Sequence, residues 1–181
     1  MKTVVINLLG GAGSGKSTTA AGLFYHFKMN NINCELIGEY VKRWAWEKRE
    51  IKPLDQIYIT GKQIKYESIV YNKVDYVITD SPIILGAIYD EFNNNSTMIK
   101  PMLDSFFETI IKKDIHHIYY FIKRNNKYDP IGRYGDENSA KQFDDFLFNK
   151  MIEWNIPFKI IDEQKENIVN TILNDLNINL K

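Results

Sequence analysis

Residues 10–17 constrain this chain more than any other segment. Their sequence, GGAGSGKS, matches every fixed position of the phosphate-binding pattern Gly-x4-Gly-Lys-Ser/Thr. The apolar run Thr3–Leu9 before them predicts a buried strand. The segment Thr18–Lys28 after them predicts a helix with Leu23 and Phe27 on one face. A strand, a glycine-rich loop and a helix in this order predict an anion site, because backbone N–H groups turn inward and the helix N-terminus adds its positive dipole end.

The loop pattern also predicts what its side chains do. Lys16 reaches the β- and γ-phosphates of a nucleotide and contributes to catalysis, while the Ser17 hydroxyl ligates Mg²⁺. ATP and Mg²⁺ are therefore the expected cofactors. The residues expected to contact the nucleotide are Gly11, Ala12, Gly13, Ser14, Gly15, Lys16, Ser17 and Thr18, joined by Arg124 from a later segment.

Apolar runs alternate with helical spacing along the whole chain. The runs predict five strands, at Thr3–Leu9, Asn33–Ile37, Tyr76–Thr79, His117–Ile122 and Phe158–Ile161. Further helices are predicted over Leu54–Tyr71, Met98–Lys112, Ala140–Trp154 and Ile168–Leu176. This alternation predicts an α/β fold, a three-layer sandwich in which a five-stranded, mainly parallel sheet has helices on both faces. The ligand site is expected beyond the carboxyl ends of the strands.

The chain shows no linker, so residues 1–181 are predicted to form a single domain. The polar stretch 124–138, which contains Gly132 and Gly135, is long enough to be a candidate lid over the site. The polar segment Phe92–Ser96 is predicted to be a surface loop.

Charge and composition exclude several classes of protein. The formal net charge is +0, so the basic surplus of a protein that coats nucleic acid is absent. The apolar runs are too short to span a bilayer, and Met1-Lys2-Thr3 leads into a strand rather than a signal peptide. The single cysteine, Cys34, has no partner for an internal disulfide. We expect a cytoplasmic protein without a membrane partner (in the host cytoplasm if it is phage-encoded), and the sequence leaves a homodimer open.

Two carboxylates follow predicted strands. Glu39 comes after Asn33–Ile37, where it would face the same crevice as the loop and accept a proton from an attacking hydroxyl. The alternative for Glu39 is a first-turn acid that stabilises a helix dipole. Asp80 ends the run Tyr76–Thr79 and is expected to hold Mg²⁺, directly or through water. The sequence Asp80-Ser81-Pro82 also suits a helix N-cap, and both roles are compatible.

Three further side chains are candidates for binding the acceptor substrate. Trp44 either stacks on a base or packs on the sheet. Arg43 either holds a phosphate or a sugar hydroxyl or lies in solvent. Gln63 either recognises the amide edge of a base or is an exposed polar residue. The neighbouring cations are expected to form a solvated face: Lys42, Lys48 and Arg49.

Basic residues border the candidate lid, namely Lys123, Arg124, Lys127 and Arg133. Arginines that close over a transferring phosphoryl group stabilise the charge on its equatorial oxygens. Arg124 and Arg133 are the best candidates for this catalytic role, and Arg124 could instead cover adenine by stacking. The alternative is an ordinary charged surface loop.

Together these segments resemble the nucleoside and nucleotide kinase branch of the phosphate-loop (P-loop) proteins. Glu39-Tyr40-Val41-Lys42-Arg43-Trp44 is similar to the Glu-Pro-Val-x-x-Trp segment of deoxynucleoside kinases, whose glutamate is the base near the 5′-hydroxyl; here Tyr40 replaces the proline. Glu39-Tyr40 with Arg43 also resembles the ribosylnicotinamide kinase group and its relatives from large phages. Many relatives have an acidic-Arg-Ser triplet where this chain has Asp80-Ser81-Pro82, so the missing arginine's role would pass to Arg43 or the lid.

This resemblance implies the P-loop NTPase fold and Mg·ATP-dependent transfer of a phosphoryl group to a nucleoside, a nucleotide or a close analogue. Two other functions fit parts of the sequence. A DNA or RNA kinase, acting on a 5′ end or a hydroxymethylated base, would use the basic residues Lys42, Arg43, Lys48 and Arg49, but the neutral net charge opposes it. A nucleotide-dependent switch or ATPase is suggested by Asn126-Lys127-Tyr128-Asp129, which matches the guanine-binding Asn-Lys-x-Asp pattern, although no Asp-x-x-Gly follows the Asp80 strand.

Overall fold

The computed structural model of the chain describes residues 2–125 and 128–178. Five strands form one sheet in the order β2-β3-β1-β4-β5, and every pairing between neighbours is parallel. The strands are β1 (Thr3–Leu9), β2 (Cys34–Ile37), β3 (Tyr76–Thr79), β4 (Ile115–Ile122) and β5 (Lys159–Ile161). All five match the predicted runs to within two residues at each end.

Helices cover both faces of the sheet. They are α1 (Lys16–Met29), α2 (Lys42–Trp46), α3 (Asp55–Ser68), α4 (Leu85–Asn94), α5 (Ile99–Ile111), α6 (Glu137–Glu153) and α7 (Ile168–Asp175). On one face, α1 and α7 bury Leu23, Phe27 and Ile172 against Ile6 and Leu8 of β1. On the other face, α4, α5 and α6 pack against the side chains of β1 and β4 that point the opposite way. The predicted α/β three-layer sandwich is confirmed.

Helix α4 is the element that the sequence analysis missed. Leu85, Ile88, Tyr89 and Phe92 follow the i, i+3, i+4, i+7 spacing of an amphipathic helix, so the sequence does carry the helical pattern, which the asparagine-rich end of the segment led us to interpret as a loop. The prediction of a surface loop over Phe92–Ser96 is wrong for its first three residues, because α4 extends to Asn94. The N-cap prediction for Asp80 is also wrong, since α4 begins at Leu85 and its N-cap is Ile84.

The register of the sheet brings the candidate site together. Ile37 of β2 and Asn7 of β1 both pair with Thr79 of β3, so these strands end at the same edge of the sheet. Consequently Glu39, Asp80 and the glycine-rich loop all leave the sheet at its carboxyl edge, as expected for parallel strands. Within the described ranges, no helix has both the length and the apolar character needed to cross a membrane.

Candidate functional site

The loop between β1 and α1 has the backbone of an anion cradle. Gly13 and Gly15 adopt φ values of 88° and 104°, in the region that glycine tolerates and other residues avoid. A Cβ atom on Gly13 would lie 2.6 Å from Nη1 of Arg133 and 2.9 Å from Nη1 of Arg124. Glycine therefore lets two guanidinium groups approach the loop backbone. Helix α1 begins directly after the loop, which leaves its first N–H groups free to bind an anion.

A cavity of about 480 Å³ opens above this loop, a volume within the range of small-molecule sites. Lys16, Ser17, Glu39, Asp80 and Arg133 all contribute to its wall. The structure thus brings these predicted residues into one cavity. Other predicted residues that line it are Ala12, Gly13, Gly15, Thr18 and Gln63.

The charged groups of the cavity shift one another's protonation. Burial lowers the pKa of Lys16, and the nearby carboxylates of Glu39, Asp80 and Asp144 partly offset this effect. Desolvation raises the pKa of Glu39 despite the opposing charge of Lys16, and Asp80 raises it further. A carboxylate with a raised pKa is a stronger proton acceptor, which suits a general base. Lys16 Nζ also donates hydrogen bonds to the carbonyl oxygens of Gly10 (2.6 Å) and Gly11 (2.9 Å).

The donor set suits Mg²⁺ bound together with a nucleotide. Oδ1 of Asp80 is buried and makes no hydrogen bond to the described residues, and Ser17 lines the same cavity. Within residues 2–125 and 128–178, no group of three or more His, Cys, Asp or Glu side chains could hold a metal. Mg²⁺ is typically bound by one or two protein groups with phosphate oxygens and water completing its shell. The residues present fit that mode, with Asp80 and Ser17 as the protein groups.

Arg124 does not line the cavity, and its guanidinium is engaged elsewhere. Its Nε and Nη2 donate to Oδ2 of Asp144 at 3.0 and 2.6 Å, and its Nη1 donates to the Ala12 carbonyl oxygen at 2.5 Å. In this structure Arg124 therefore holds the loop, and its predicted roles in covering adenine or closing over the phosphoryl group stay predictions. Gly11 also departs from prediction, because its N–H donates to Oδ1 of Asp144. Like Gly11, Ser14 lies outside the cavity wall.

Sequence reasoning missed Asp144. It lies on the predicted helix beside Asp145, and nothing in the local pattern distinguishes the two carboxylates. Asp144 is half-buried against the loop, whereas Asp145 is exposed. The contact joins residues 133 positions apart, so only the tertiary fold reveals it.

Trp44 and Arg43 also lie outside the cavity wall. Trp44 is buried against the ring of Tyr58, with the centroids 6.2 Å apart and the planes nearly parallel, and Arg49 Cζ lies 3.4 Å from the Trp44 ring centroid. Trp44 therefore packs on α3 rather than on the sheet or on a base. Arg43 is exposed, as its solvent-facing alternative predicts, and its role in binding substrate stays a prediction. Conversely Lys42, predicted to be solvated, lines the cavity.

Gln63 is buried, and both ends of its amide are used. Its Oε1 accepts a hydrogen bond from the Tyr40 N–H at 3.3 Å, and its Nε2 donates to the Gly38 carbonyl oxygen at 3.4 Å. The amide thereby holds the backbone on either side of Glu39. Gln56 lies seven residues earlier, on the same face of α3. Gln56 is only 6% exposed, lines the cavity and makes no side-chain hydrogen bond to the described residues. The amide that is available to a ligand is therefore that of Gln56, which the sequence analysis did not single out.

Residues 132–134 of the candidate lid lie against α2 and the turn that follows it. Lys42 Nζ donates to the Gly132 carbonyl oxygen at 2.7 Å, and the Tyr134 hydroxyl donates to the Arg49 carbonyl oxygen at 2.6 Å. Arg133 Cζ lies 5.5 Å from the Tyr128 ring centroid. The irregular segment is shorter than predicted, because α6 begins at residue 137 with an Asp136 cap.

Part of the guanine-binding pattern can be located. Its last residue, Asp129, is used locally, because Oδ1 accepts a hydrogen bond from the Ile131 N–H at 3.0 Å. Asn126 and the basic residue Lys127 lie outside the described residues.

Comparisons with known proteins agree with this architecture. A family model described as an AAA domain matches residues 5–167. Thymidylate kinase from Ehrlichia chaffeensis superposes with a TM-score of 0.68 at 14% identity, over 98% of this chain and 100% of that chain. Deoxyadenosine kinase from M. mycoides with bound dATP gives a TM-score of 0.61 at 17% identity, over 98% and 100% of the two chains. NadR protein in complex with NR gives a TM-score of 0.74 at 17% identity, over 99% of this chain but only 53% of that chain. No curated protein sequence matches. At these identities the likeness shows the fold.

Proposed function

We propose that this chain, which belongs to the AAA domain family and has the fold of P-loop nucleoside and nucleotide kinases, transfers the γ-phosphoryl group of Mg·ATP to a nucleoside, a nucleotide or a close analogue. The observation that carries the proposal is the shared cavity of Lys16 and Glu39. A phosphate-binding lysine and a carboxylate with a raised pKa line one cavity of about 480 Å³. A phosphoryl donor and an acceptor would fit there together.

In the proposed reaction, the acceptor hydroxyl oxygen forms a bond to Pγ while the bond from Pγ to the bridging oxygen breaks and ADP leaves. Glu39 takes the hydroxyl proton. The loop backbone and Lys16 hold the phosphates, and Arg133 stabilises the charge of the transferring group. Mg²⁺ held by Ser17 and Asp80 would neutralise phosphate charge.

The charges of the cavity favour a hydroxyl acceptor over a phosphate acceptor. A hydroxyl must lose a proton as it attacks, so it benefits from the Glu39 carboxylate. A nucleoside monophosphate is already ionised at neutral pH, and the same carboxylate would repel it. The cations in the wall, Lys16, Lys42 and Arg133, fit the phosphates of the donor. We therefore favour a nucleoside-like alcohol as the acceptor.

Gln56 is the better candidate for recognising the acceptor base. Its amide offers one donor and one acceptor to the cavity, a pattern complementary to the amide edge of a nucleobase or a carboxamide. Gln63, for which the sequence suggested this role, already uses its amide on Gly38 and Tyr40. Binding a group that matches Gln56 would satisfy a polar side chain that is nearly buried.

The direct test is turnover of a panel of nucleosides and nucleoside monophosphates with Mg·ATP, followed by mass spectrometry of the products. We expect phosphorylation of at least one nucleoside, and a fall in kcat of about 10²–10⁴-fold for Glu39→Gln. Glu35→Gln is the matched control, because Glu35 lies on β2 outside the cavity wall, within 3.6 Å of Lys28. ATP hydrolysis without transfer to any member of the panel would refute the kinase, whereas unchanged turnover in Glu39→Gln would refute only the base.

A further inference from the structure

A cluster of partly exposed tyrosines lies on α3 and the turn before α2. We name it the tyrosine face and define it as Tyr40, Tyr58 and Tyr66 with the adjacent Lys62 and Lys65. The Tyr40 ring centroid lies 5.7 Å from those of both Tyr58 and Tyr66. Tyr58 is 48% exposed and Tyr66 is 42% exposed, while Tyr40 is half-buried between them.

The tyrosine rings are held in place from below. The Tyr40 hydroxyl donates a hydrogen bond to the Tyr58 hydroxyl at 3.0 Å. Buried Trp44 contacts both rings, at centroid distances of 6.0 Å from Tyr40 and 6.2 Å from Tyr58. A preordered aromatic surface loses little conformational entropy when a flat group stacks on it.

The segment that carries these tyrosines has a net positive charge, whereas the whole chain has none. Residues 40–66 contain seven lysines and arginines and three acidic residues, a surplus of four positive charges, while the whole chain has a formal net charge of zero. Lys62 Nζ lies 5.4 Å from the Tyr58 ring centroid, and Lys65 is exposed beside Tyr66 in sequence. One of the three acids, Asp55, lies 3.8 Å from Arg49 and is partly neutralised by it.

We propose that the tyrosine face binds single-stranded nucleic acid. Bases stack on the exposed tyrosine rings, and the phosphates between them contact Lys62 and Lys65, which is the combination that sequence-tolerant single-strand sites use. A second copy of the chain fits this surface less well, because two identical positive surfaces would repel each other. The inference goes beyond the proposed kinase function, since binding here requires no phosphoryl transfer. Tyr40 directly follows Glu39, so a bound strand lies near the mouth of the cavity.

The test is fluorescence anisotropy of a short, labelled single-stranded oligonucleotide of mixed sequence, as DNA and as RNA, over a range of salt concentrations. We expect log K to fall with log salt at a slope of about −1.4, as two phosphate contacts on a single strand, to Lys62 and Lys65, would give. Tyr58→Ala combined with Tyr66→Ala should weaken binding by about tenfold or more, because each stacked base is lost. Tyr25→Ala, which removes a more exposed tyrosine on α1 (60% exposed), should leave binding unchanged.

A second variant tests the surface without removing the packed tyrosine rings, whose loss could misfold the protein. Lys62→Glu combined with Lys65→Glu keeps the rings and should weaken binding while flattening the salt slope by about 1.4. Glu39→Gln should retain full oligonucleotide binding, so a failed kinase and a failed binding surface are distinguishable. Three outcomes would overturn the inference: no binding at low salt, equal losses with Tyr25→Ala, or a dimer that dissociates in the double tyrosine variant while oligonucleotide binding persists.

Discussion

Asp144 and Arg124 form an ion pair directly behind the phosphate-binding loop, with 2.6 Å between Oδ2 and Nη2. The side chain of Arg124 is 8% exposed and that of Asp144 is 15% exposed. Each partner also holds the loop, because Asp144 accepts a hydrogen bond from the Gly11 N–H and Arg124 donates one to the Ala12 carbonyl oxygen. A loop composed largely of glycine has few side chains to fix its shape, so we infer that this pair preorganises it.

Removal of Asp144 should therefore affect both stability and nucleotide binding. Asp144→Ala leaves Arg124 as a nearly buried cation without its partner, which we expect to cost about 3 kcal/mol in the free energy of unfolding. ATP affinity should fall as well, because the loop loses its support. Urea denaturation and calorimetric titration with ATP measure the two effects. Asp145→Ala, on the exposed side of the same helix, should change stability by no more than about 0.5 kcal/mol. Equal stability of the two variants would contradict the assignment.

Gln63 should act as a positioning residue for Glu39. Gln63→Ala frees the backbone on both sides of the base, and a displacement of the base lowers kcat steeply. We expect kcat to fall about tenfold or more with little change in the KM for ATP. The acid limb of the pH–rate profile should also move, because the desolvation that raises the pKa of Glu39 would change. Gln142→Ala on the exposed surface of α6 is the control. A profile of unchanged shape would leave Gln63 with a structural role only.

Two helical glycines should respond in opposite ways to the same substitution. A Cβ atom on Gly61 in α3 meets nothing within 4 Å, so Gly61→Ala should stabilise the protein by about 0.5–1 kcal/mol. A Cβ atom on Gly86 in α4 would lie 2.2 Å from Oγ1 of Thr60, so Gly86→Ala should destabilise it by about 1–3 kcal/mol. Chemical denaturation of both variants checks the close packing of α3 on α4. Changes of the same sign would argue against that packing.

The sequence predicted the features that local patterns determine. Strand ends are marked by apolar runs, and parallel strands end at one edge, so Glu39 and Asp80 were correctly expected to share a crevice with the loop. Helix α4 was missed although Leu85, Ile88, Tyr89 and Phe92 have helical spacing, because the asparagines that end it favoured a loop.

The sequence could not predict which residue each side chain contacts, because these contacts join distant segments of the chain. Arg124 was expected to contact the nucleotide, and no pattern in the sequence indicated that Asp144, twenty positions further on, would bind its guanidinium. Trp44 was expected at a base or on the sheet, but the ring of Tyr58 from α3 covers it. Residue type and spacing identified which side chains are chemically important, and the packing of α3 and α6 determined what each one contacts.

A buried carboxyl group on α3 should make the stability of the protein depend on pH. Glu67 is fully buried; the Tyr71 hydroxyl donates a hydrogen bond to its Oε1, and Nε2 of His117 lies 3.6 Å from the same oxygen. Burial raises the pKa of Glu67 to about 7 and lowers the pKa of His117 to about 3. His117 is therefore neutral, with Nδ1 accepting a hydrogen bond from Asn7 Nδ2 at 3.2 Å.

Glu67→Gln should become more stabilising, relative to the wild type, as the pH rises. The folded wild type retains a proton on Glu67 up to about pH 7, whereas the unfolded chain releases it near the ordinary pKa of 4.5. Its contribution to stability is thus complete below pH 4.5 and is lost as the pH rises through 7. Glutamine mimics the protonated carboxyl group and does not titrate, so the variant keeps its stability as the pH rises. The difference in the free energy of unfolding between Glu67→Gln and the wild type should therefore grow by about 3 kcal/mol between acidic and mildly basic pH. Urea denaturation across that range measures it, and the effect of His117 cancels because both proteins contain it. Glu108→Gln, exposed on α5, should show no such trend. A constant difference in the free energy of unfolding between Glu67→Gln and the wild type at all pH values would mean that folding does not raise the pKa of Glu67.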